Sequence, residues 1–134
     1  FVQNKPVLAV EKGVVFEPLA LDLTGWHIVL VYPNLVISTA EAYAGVSPSF
    51  PKNRLETLLA QDISTWKDTV VNDFEASLFP AYPVLPQIKQ QLYTLGAVYA
   101  SMSGSGSTLY GLFQTPPTTP VPFPKDFSVW QGVL

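Results

Sequence analysis

The chain has 134 residues, of which 48% are hydrophobic, and this length and composition predict one folded domain over 1–134 and exclude intrinsic disorder. Only 13% of the residues are charged, the net charge is −3 and no cluster of Lys and Arg is present, which argues against a nucleic-acid partner. The absence of cysteine excludes disulfides and thiolate metal ligands, and the longest apolar run, 26–33, is far shorter than the roughly 18 residues of a membrane span.

The first elements in chain order are predicted strands. Two short runs rich in β-branched residues, 7–10 and 13–16, predict a hairpin or a bend in an edge strand. Residues 25–31 (GWHIVLV) are almost wholly apolar, which predicts a strand in the centre of a sheet. His27, the only histidine, lies in this strand, and we expect it to have a structural rather than a catalytic role.

Helices are predicted next. Ser38 and Glu41 have the spacing of a capping box, so a short helix should begin there. Further short helices are predicted over 54–59 and 64–69. Residues 70–79 place apolar side chains three and four positions apart, as an amphipathic helix requires, and Pro80 should end that helix. The apolar residues that define this spacing are Val71, Phe74 and Leu78.

The last helix is predicted to begin near Pro86, at its first position, and to end at Gly96 as a left-handed cap. Residues 97–102 and 108–113 then predict two antiparallel strands joined by a tight loop. A proline-rich loop over 114–125 and a last strand over 126–134 complete the chain. The predicted fold is an α+β two-layer sandwich, with helices on one face of a mainly antiparallel sheet of at least four strands.

The loop between those two strands carries most of the chemical information. Alternating Gly and Ser over 103–107 let the backbone approach a ligand closely and direct several N–H groups at one anion, such as a phosphate. The same residue types are also the usual ones of tight turns, so composition alone leaves both interpretations open. The Walker A loop, the dinucleotide fingerprint and the nucleophile elbow are all absent.

Three segments taken together carry a resemblance. The order ST-x-x-AY, then NDFE, then LGA-x-YASMSGSGST-x-YGLF resembles the C-terminal domain of small-molecule kinases of the GHMP superfamily, over residues 1–113. More narrowly, it is similar to the branch that phosphorylates a cytidine diphosphate derivative in non-mevalonate isoprenoid biosynthesis. The resemblance implies a ferredoxin-like, substrate-binding domain of a cytoplasmic bacterial enzyme that uses ATP and Mg²⁺. Oligomeric state stays open.

The resemblance implies roles for two segments. Gly104, Ser105, Gly106 and Ser107 match the loop that closes the phosphate-binding region. Thr39 and Tyr43 match a T-x-x-x-aromatic segment that surrounds the cytosine of the substrate. Without the resemblance, an aromatic residue at helical spacing is more often part of a core. Ala40 stands where the family often has proline, which puts the shape of this pocket in doubt.

Asn72, Asp73 and Glu75 lie in the NDFE segment, where two carboxylates could suggest acid–base or metal chemistry. Acidic residues near a helix N-terminus are favoured by the helix dipole without any such role. The resemblance implies that these residues brace the glycine-rich loop from a neighbouring helix. We therefore assign no catalytic residue and no metal ligand to this chain.

The resemblance also implies that the catalytic groups lie in an N-terminal domain outside this chain. The chain begins at Phe1 without Met, and Phe1 and Val2 resemble the residues that follow the catalytic aspartate. We therefore expect the chain alone to have no kinase activity, and to expose an apolar face near its N-terminus and the glycine-rich loop. Two alternatives stay open: another kinase of the superfamily, acting on homoserine, mevalonate or a sugar, or a free-standing α+β binding module.

Overall fold

A computed structural model describes residues 5–47, 52–118 and 121–134; the predictions about Phe1 and Val2 lie outside these ranges. The strands are β1 Val7–Val10, β2 Val15–Pro18, β3 His27–Tyr32, β4 Tyr99–Met102, β5 Leu109–Phe113 and β6 Ser128–Val133. The α-helices are α1 Thr39–Ala44, α2 Leu55–Leu59, α3 Trp66–Thr69, α4 Asp73–Ala81 and α5 Val84–Thr94, with 3-10 turns at Glu11–Gly13 and Ile63–Thr65.

Four of these strands form one antiparallel sheet in the order β4-β5-β3-β6. Because β6 pairs with β3 inside the domain and β5 returns beside β4, the sheet has the strand arrangement of a ferredoxin-like fold. The predicted α+β class and the central position of β3 are confirmed. The predicted hairpin is also confirmed, but β1 and β2 form a separate two-stranded sheet.

The larger core lies between one face of the sheet and the helices α1, α4 and α5. Side chains at alternate positions of β3, β4 and β5 meet the inward faces of these helices, as the two-residue period of a strand requires. The buried members are Val29, Val31, Ala42, Leu78, Leu85, Ile88, Leu92, Ala97, Ala100, Met102, Leu109 and Phe113. Among the described residues, no helix combines the length and apolar composition that a membrane crossing requires.

The opposite face of the sheet carries a second, smaller cluster. Trp66 of α3 packs edge-on against Tyr99 at 5.6 Å between ring centroids, and Tyr99 packs against Tyr110 at 6.0 Å. Ile63 and Leu112 are buried with them. The sequence prediction placed all helices on one face of the sheet, whereas α2 and α3 lie on the opposite face.

Helix α4 differs from its prediction at both ends. The helix begins at Asp73, because the Asn72 side chain accepts a hydrogen bond from the Phe74 N–H and so caps it. Val71 therefore precedes the helix and is 66% exposed, so its predicted place on the buried face is wrong. Pro80 lies inside the last turn and does not end the helix, since the Tyr82 N–H still donates to the Leu78 carbonyl at 2.8 Å beyond it.

Helix α5 begins two residues earlier than predicted. Pro86 is its third residue, a position where a missing N–H costs little because the first-turn amides have no partner within the helix. Gly96 follows the C-cap with φ of 98°, and the predicted left-handed end is confirmed. Beyond β5, residues 114–118 and 121–127 form neither helix nor strand, in agreement with the predicted proline-rich loop. The Gln91 side chain donates to the Pro122 carbonyl at 2.6 Å and fastens this loop to α5.

The contact between α1 and α4 depends on Gly45. A Cβ atom at Gly45 would lie 2.6 Å from the Cβ of Ser77 in α4, so Gly45→Ala forces the two helices apart. We expect Gly45→Ala to reduce the free energy of unfolding by about 1–3 kcal/mol through overpacking, measured by urea denaturation. Ser77→Gly removes the clashing atom, so the double variant should lose less than the sum of the two single variants. Additive losses would contradict this account.

Candidate functional site

The glycine-rich loop joins β4 to β5 and is held at its base. The Ser103 N–H donates to the Thr108 carbonyl at 2.8 Å, and the Gly106 N–H donates to the Ser103 carbonyl at 3.0 Å. Gly104 has φ of 55° and Gly106 φ of 86°, in the left-handed region that glycine adopts without strain. At Gly106 a side chain would also lie 2.8 Å from the Met102 sulfur. The alternation of glycine is therefore required by the loop itself.

The four predicted loop residues have different surroundings. Ser107 is 4% exposed and its hydroxyl donates to the Leu35 carbonyl, so its side chain anchors the loop to the segment before α1. Within the described part of the chain, the backbone amides of Gly104 and Ser105 have no hydrogen-bond partner. Adjacent unpaired N–H groups in a glycine-containing turn form the kind of concavity that binds anions.

Asn72 connects the first turn of α4 to this loop. Its side-chain amide donates to two carbonyl oxygens, those of Met102 and Gly104, both at 2.8 Å. Its side-chain oxygen accepts the Phe74 N–H at 3.0 Å. Asn72 thus caps α4 and holds the glycine-rich loop at the same time. In the sequence, the loop-holding role of Asn72 was implied only by the resemblance.

Glu75 holds the end of β4. Its Oε1 atom accepts the Met102 N–H at 2.8 Å and the Ser101 hydroxyl at 3.1 Å, while Oε2 lies 2.5 Å from the Lys89 ammonium. Asp73 differs from its two neighbours in the motif. It is exposed in the first turn of α4, and none of the described residues hydrogen-bonds to its side chain.

Tyr43 lies on α1, which begins as predicted because the Ser38 hydroxyl accepts the Glu41 N–H at 3.1 Å. Tyr43 is 64% exposed, so the interpretation of Tyr43 as a core residue is wrong. The rings of Tyr43 and Phe74 form a T-shaped contact, with 5.0 Å between their centroids. Thr39, one turn earlier on α1, is also exposed. Both residues are accessible to a ligand.

The two predicted subsites are joined through α4. Tyr43 contacts Phe74, the Phe74 N–H donates to the Asn72 side chain, and the Asn72 side chain donates to the Gly104 carbonyl. A cleft of about 400 Å³ lies beside this connection; Asn72, Phe74 and Gly104 line it, whereas Thr39 and Tyr43 do not. The lining residues are Leu55, Val70, Val71, Asn72, Asp73, Phe74, Tyr99, Ser101, Met102, Gly104 and Tyr110.

Sequence reasoning missed the far wall of this cleft. Tyr99 and Tyr110 face it from the sheet, and burial raises the pKa of both phenols above the ordinary value, so they stay neutral near pH 7. The Tyr99 hydroxyl donates to the Val70 carbonyl at 2.8 Å. The only available signal was their alternation with core residues in β4 and β5, which does not distinguish a cleft wall from a core.

Exposed apolar side chains do lie near the glycine-rich loop. Leu55 is 42% exposed and Val71 is 66% exposed, and both line the cleft that Gly104 also lines. Val36, 82% exposed, is next to Leu35, whose carbonyl anchors the loop. Whether they form one continuous face, as the sequence predicts, stays a prediction. Among the described residues, no three potential carboxylate or histidine metal ligands come together.

Comparison with known proteins gives this geometry a context. Residues 55–118 match the family model described as GHMP kinases C terminal. A curated relative from Bacteroides fragilis, named 4-diphosphocytidyl-2-C-methyl-D-erythritol kinase, is 45% identical over 113 residues, which are 84% of this chain and 41% of the relative. The chain therefore spans less than half the length of that relative.

Two solved structures resemble the fold. A crystal structure of 4-(cytidine 5'-diphospho)-2C-methyl-D-erythritol kinase superposes with a TM-score of 0.69 at 28% identity, over 84% of this chain and 42% of that one. A homoserine kinase from Cytophaga hutchinsonii superposes with a TM-score of 0.60 at 13% identity, over 96% of this chain and 48% of that one. The second similarity concerns the fold alone.

Proposed function

We propose that this chain is the substrate-binding half of a 4-diphosphocytidyl-2-C-methyl-D-erythritol kinase. The premise is that the chain belongs to the GHMP kinase family as a C-terminal domain. In this proposal the complete enzyme transfers the γ-phosphate of ATP to the 2-hydroxyl of its substrate, in the bacterial cytoplasm. The supporting observation is the exposed ring of Tyr43, connected through Phe74 and Asn72 to the glycine-rich loop.

Tyr43 supplies the base-recognition part of the proposal. Tyr43 is 64% exposed, and an exposed aromatic ring can stack on a pyrimidine base. Thr39, on the same side of α1 one turn away, offers a hydroxyl for a polar edge of the base. Together the two residues form the proposed cytosine subsite.

The glycine-rich loop supplies the phosphate part. The N–H groups of Gly104 and Ser105 lack partners within the described residues and can donate to phosphate oxygens. Asn72 and Ser107 fix the loop on its two sides, so little reorganisation accompanies binding. We assign no Mg²⁺ ligand to this chain, because its described carboxylates do not cluster. Mg²⁺, ATP and the catalytic base belong in this proposal to the remainder of the complete enzyme.

Tyr43→Ala in the complete protein that contains this chain tests the cytosine subsite. Stacking of one base on an aromatic side chain is worth about 1–3 kcal/mol, so KM for the cytidine substrate should rise roughly 5- to 150-fold. The matched control is Tyr43→Phe, which keeps the ring and should leave KM nearly unchanged. KM for ATP should not move in either variant. A KM for the cytidine substrate that is unaffected by Tyr43→Ala would contradict the assignment.

Substrate identity is tested separately. The unmodified complete protein is assayed with 4-diphosphocytidyl-2-C-methyl-D-erythritol, homoserine, mevalonate and galactose, with this chain alone as the negative control. Turnover of the first substrate only is expected. Turnover of one of the other three would replace the specific proposal with another kinase of the family, and turnover of none would favour a non-catalytic binding module.

A further inference from the structure

The outer edge of β4 is closed by side chains from two helices. β4 ends the sheet, so its outward N–H groups have no neighbouring strand. The Ala100 N–H donates instead to the Tyr93 hydroxyl oxygen at 3.2 Å, and the Met102 N–H donates to Glu75 at 2.8 Å. Tyr93 belongs to α5 and Glu75 to α4. The second of these contacts lies one residue before the glycine-rich loop and fixes where the loop starts.

Glu75 accepts that N–H as a nearly buried carboxylate. Its side chain is 12% exposed, and the Lys89 side chain that faces it is 22% exposed. The Lys89 ammonium lies 2.5 Å from Oε2 of Glu75, and also 5.8 Å from the centroid of the Phe79 ring. Within the described residues, Lys89 is the one cation within ion-pair distance of Glu75. A buried carboxylate without its cation loses most of the compensation for its desolvation.

We infer that Lys89 is a positioning residue for the glycine-rich loop. Lys89 holds the Glu75 carboxylate in place over the Met102 N–H, while Asn72 holds the Met102 and Gly104 carbonyls from the same turn of α4. The amides of Gly104 and Ser105 come two and three residues after Met102 in the chain. The direction of these N–H groups therefore depends both on the Glu75 contact with Met102 and on the Asn72 contacts with Met102 and Gly104. Among the described residues, the Lys89 ammonium hydrogen-bonds to Glu75 and to no residue of the loop, so Lys89 acts through Glu75.

The kinetic part of this inference rests on the proposed function, but the structural part has its own readout. The variants are Lys89→Met, which keeps the length of the side chain without its charge, and Lys89→Arg, which keeps the charge. Lys67→Met, on the exposed surface of α3, is the matched control. Should Lys89→Met not fold, Lys89→Gln takes its place, because it keeps a hydrogen-bond donor without the charge.

Amide hydrogen exchange is measured on the complete protein. In Lys89→Met, exchange at the hydrogen-bonded amides of Met102 and Ser103 should become at least roughly tenfold faster, while exchange in the central strand β3 stays as in the unmodified protein. Lys89→Arg should restore slow exchange, and Lys67→Met should match the unmodified protein. Unchanged exchange at Met102 and Ser103 in Lys89→Met would overturn the inference, and so would an equal acceleration throughout the domain.

Kinetics separates positioning from a general loss of structure. Lys89→Met should lower kcat/KM for ATP and leave KM for the cytidine substrate unchanged. In Lys89→Arg, kcat/KM for ATP should return to the value of the unmodified protein. Equal loss for both substrates would overturn the positioning role. If the unmodified protein has no kinase activity, the proposed function fails, and the exchange experiment still decides the role of Lys89.

Discussion

Glu75→Ala is expected to reduce the free energy of unfolding by about 3 kcal/mol, because it leaves a mostly buried ammonium without its partner and a strand N–H without its acceptor. The affected groups are the Lys89 side chain, 22% exposed, and the backbone amide of Met102. Urea unfolding of the 134-residue chain, followed by the fluorescence of the buried Trp66, measures the change.

An exposed ion pair in the same chain supplies the control for Glu75→Ala. Arg54 and Glu56 lie 2.6 Å apart, but their side chains are 79% and 31% exposed. Water screens such a pair, so Glu56→Ala should leave the unfolding midpoint almost unchanged. Equal effects of the two substitutions would contradict the importance that burial gives to Glu75.

Substitutions at Asn72 separate its two roles. Asn72→Asp keeps the oxygen that caps α4 and loses the amide that donates to the Met102 and Gly104 carbonyls. Asn72→Ala loses the cap and both loop contacts. We expect Asn72→Ala to reduce the free energy of unfolding by about 2–3 kcal/mol, of which the cap accounts for about 1 kcal/mol, measured by urea unfolding.

The comparison between the two Asn72 variants decides the role of the loop contacts. On the proposed function, Asn72→Asp should keep the helix cap yet weaken phosphate binding in the complete protein as much as Asn72→Ala does, seen as an increase of KM for ATP. Ser38→Ala removes a cap of the same kind from α1 without touching the loop, and serves as the control. An Asn72→Asp variant with unchanged KM for ATP would contradict the loop-holding role.

Local sequence patterns predicted most of the fold. The apolar run in β3, the capping box at Ser38 and the glycine after α5 each depend on contacts within a few residues, and each was found where it was expected. One of the errors was also local. The spacing that includes Val71 fits a helix, but the Asn72 cap begins that helix at Asp73, so Val71 lies outside it.

The candidate site was less predictable, because its parts come together only through packing. Tyr43 has the same helical spacing whether it is buried or exposed, and only the position of α1 against α4 leaves its ring in solvent. Lys89 carried no signal in the sequence, since a lysine on an amphipathic helix is ordinarily solvated. Its pairing with Glu75, 14 residues earlier, requires that α5 lie beside α4.

The length and composition of the chain predicted one folded domain, short of charge, and its motifs predicted the α+β fold and the position of the glycine-rich loop. The tertiary structure decided how that loop is held, because the contacts of Asn72 reach 30 and 32 residues along the chain to Met102 and Gly104. Hydrogen bonds over such separations form only when the packed core brings two distant segments within about 3 Å. Residue spacing alone contains no information about that approach.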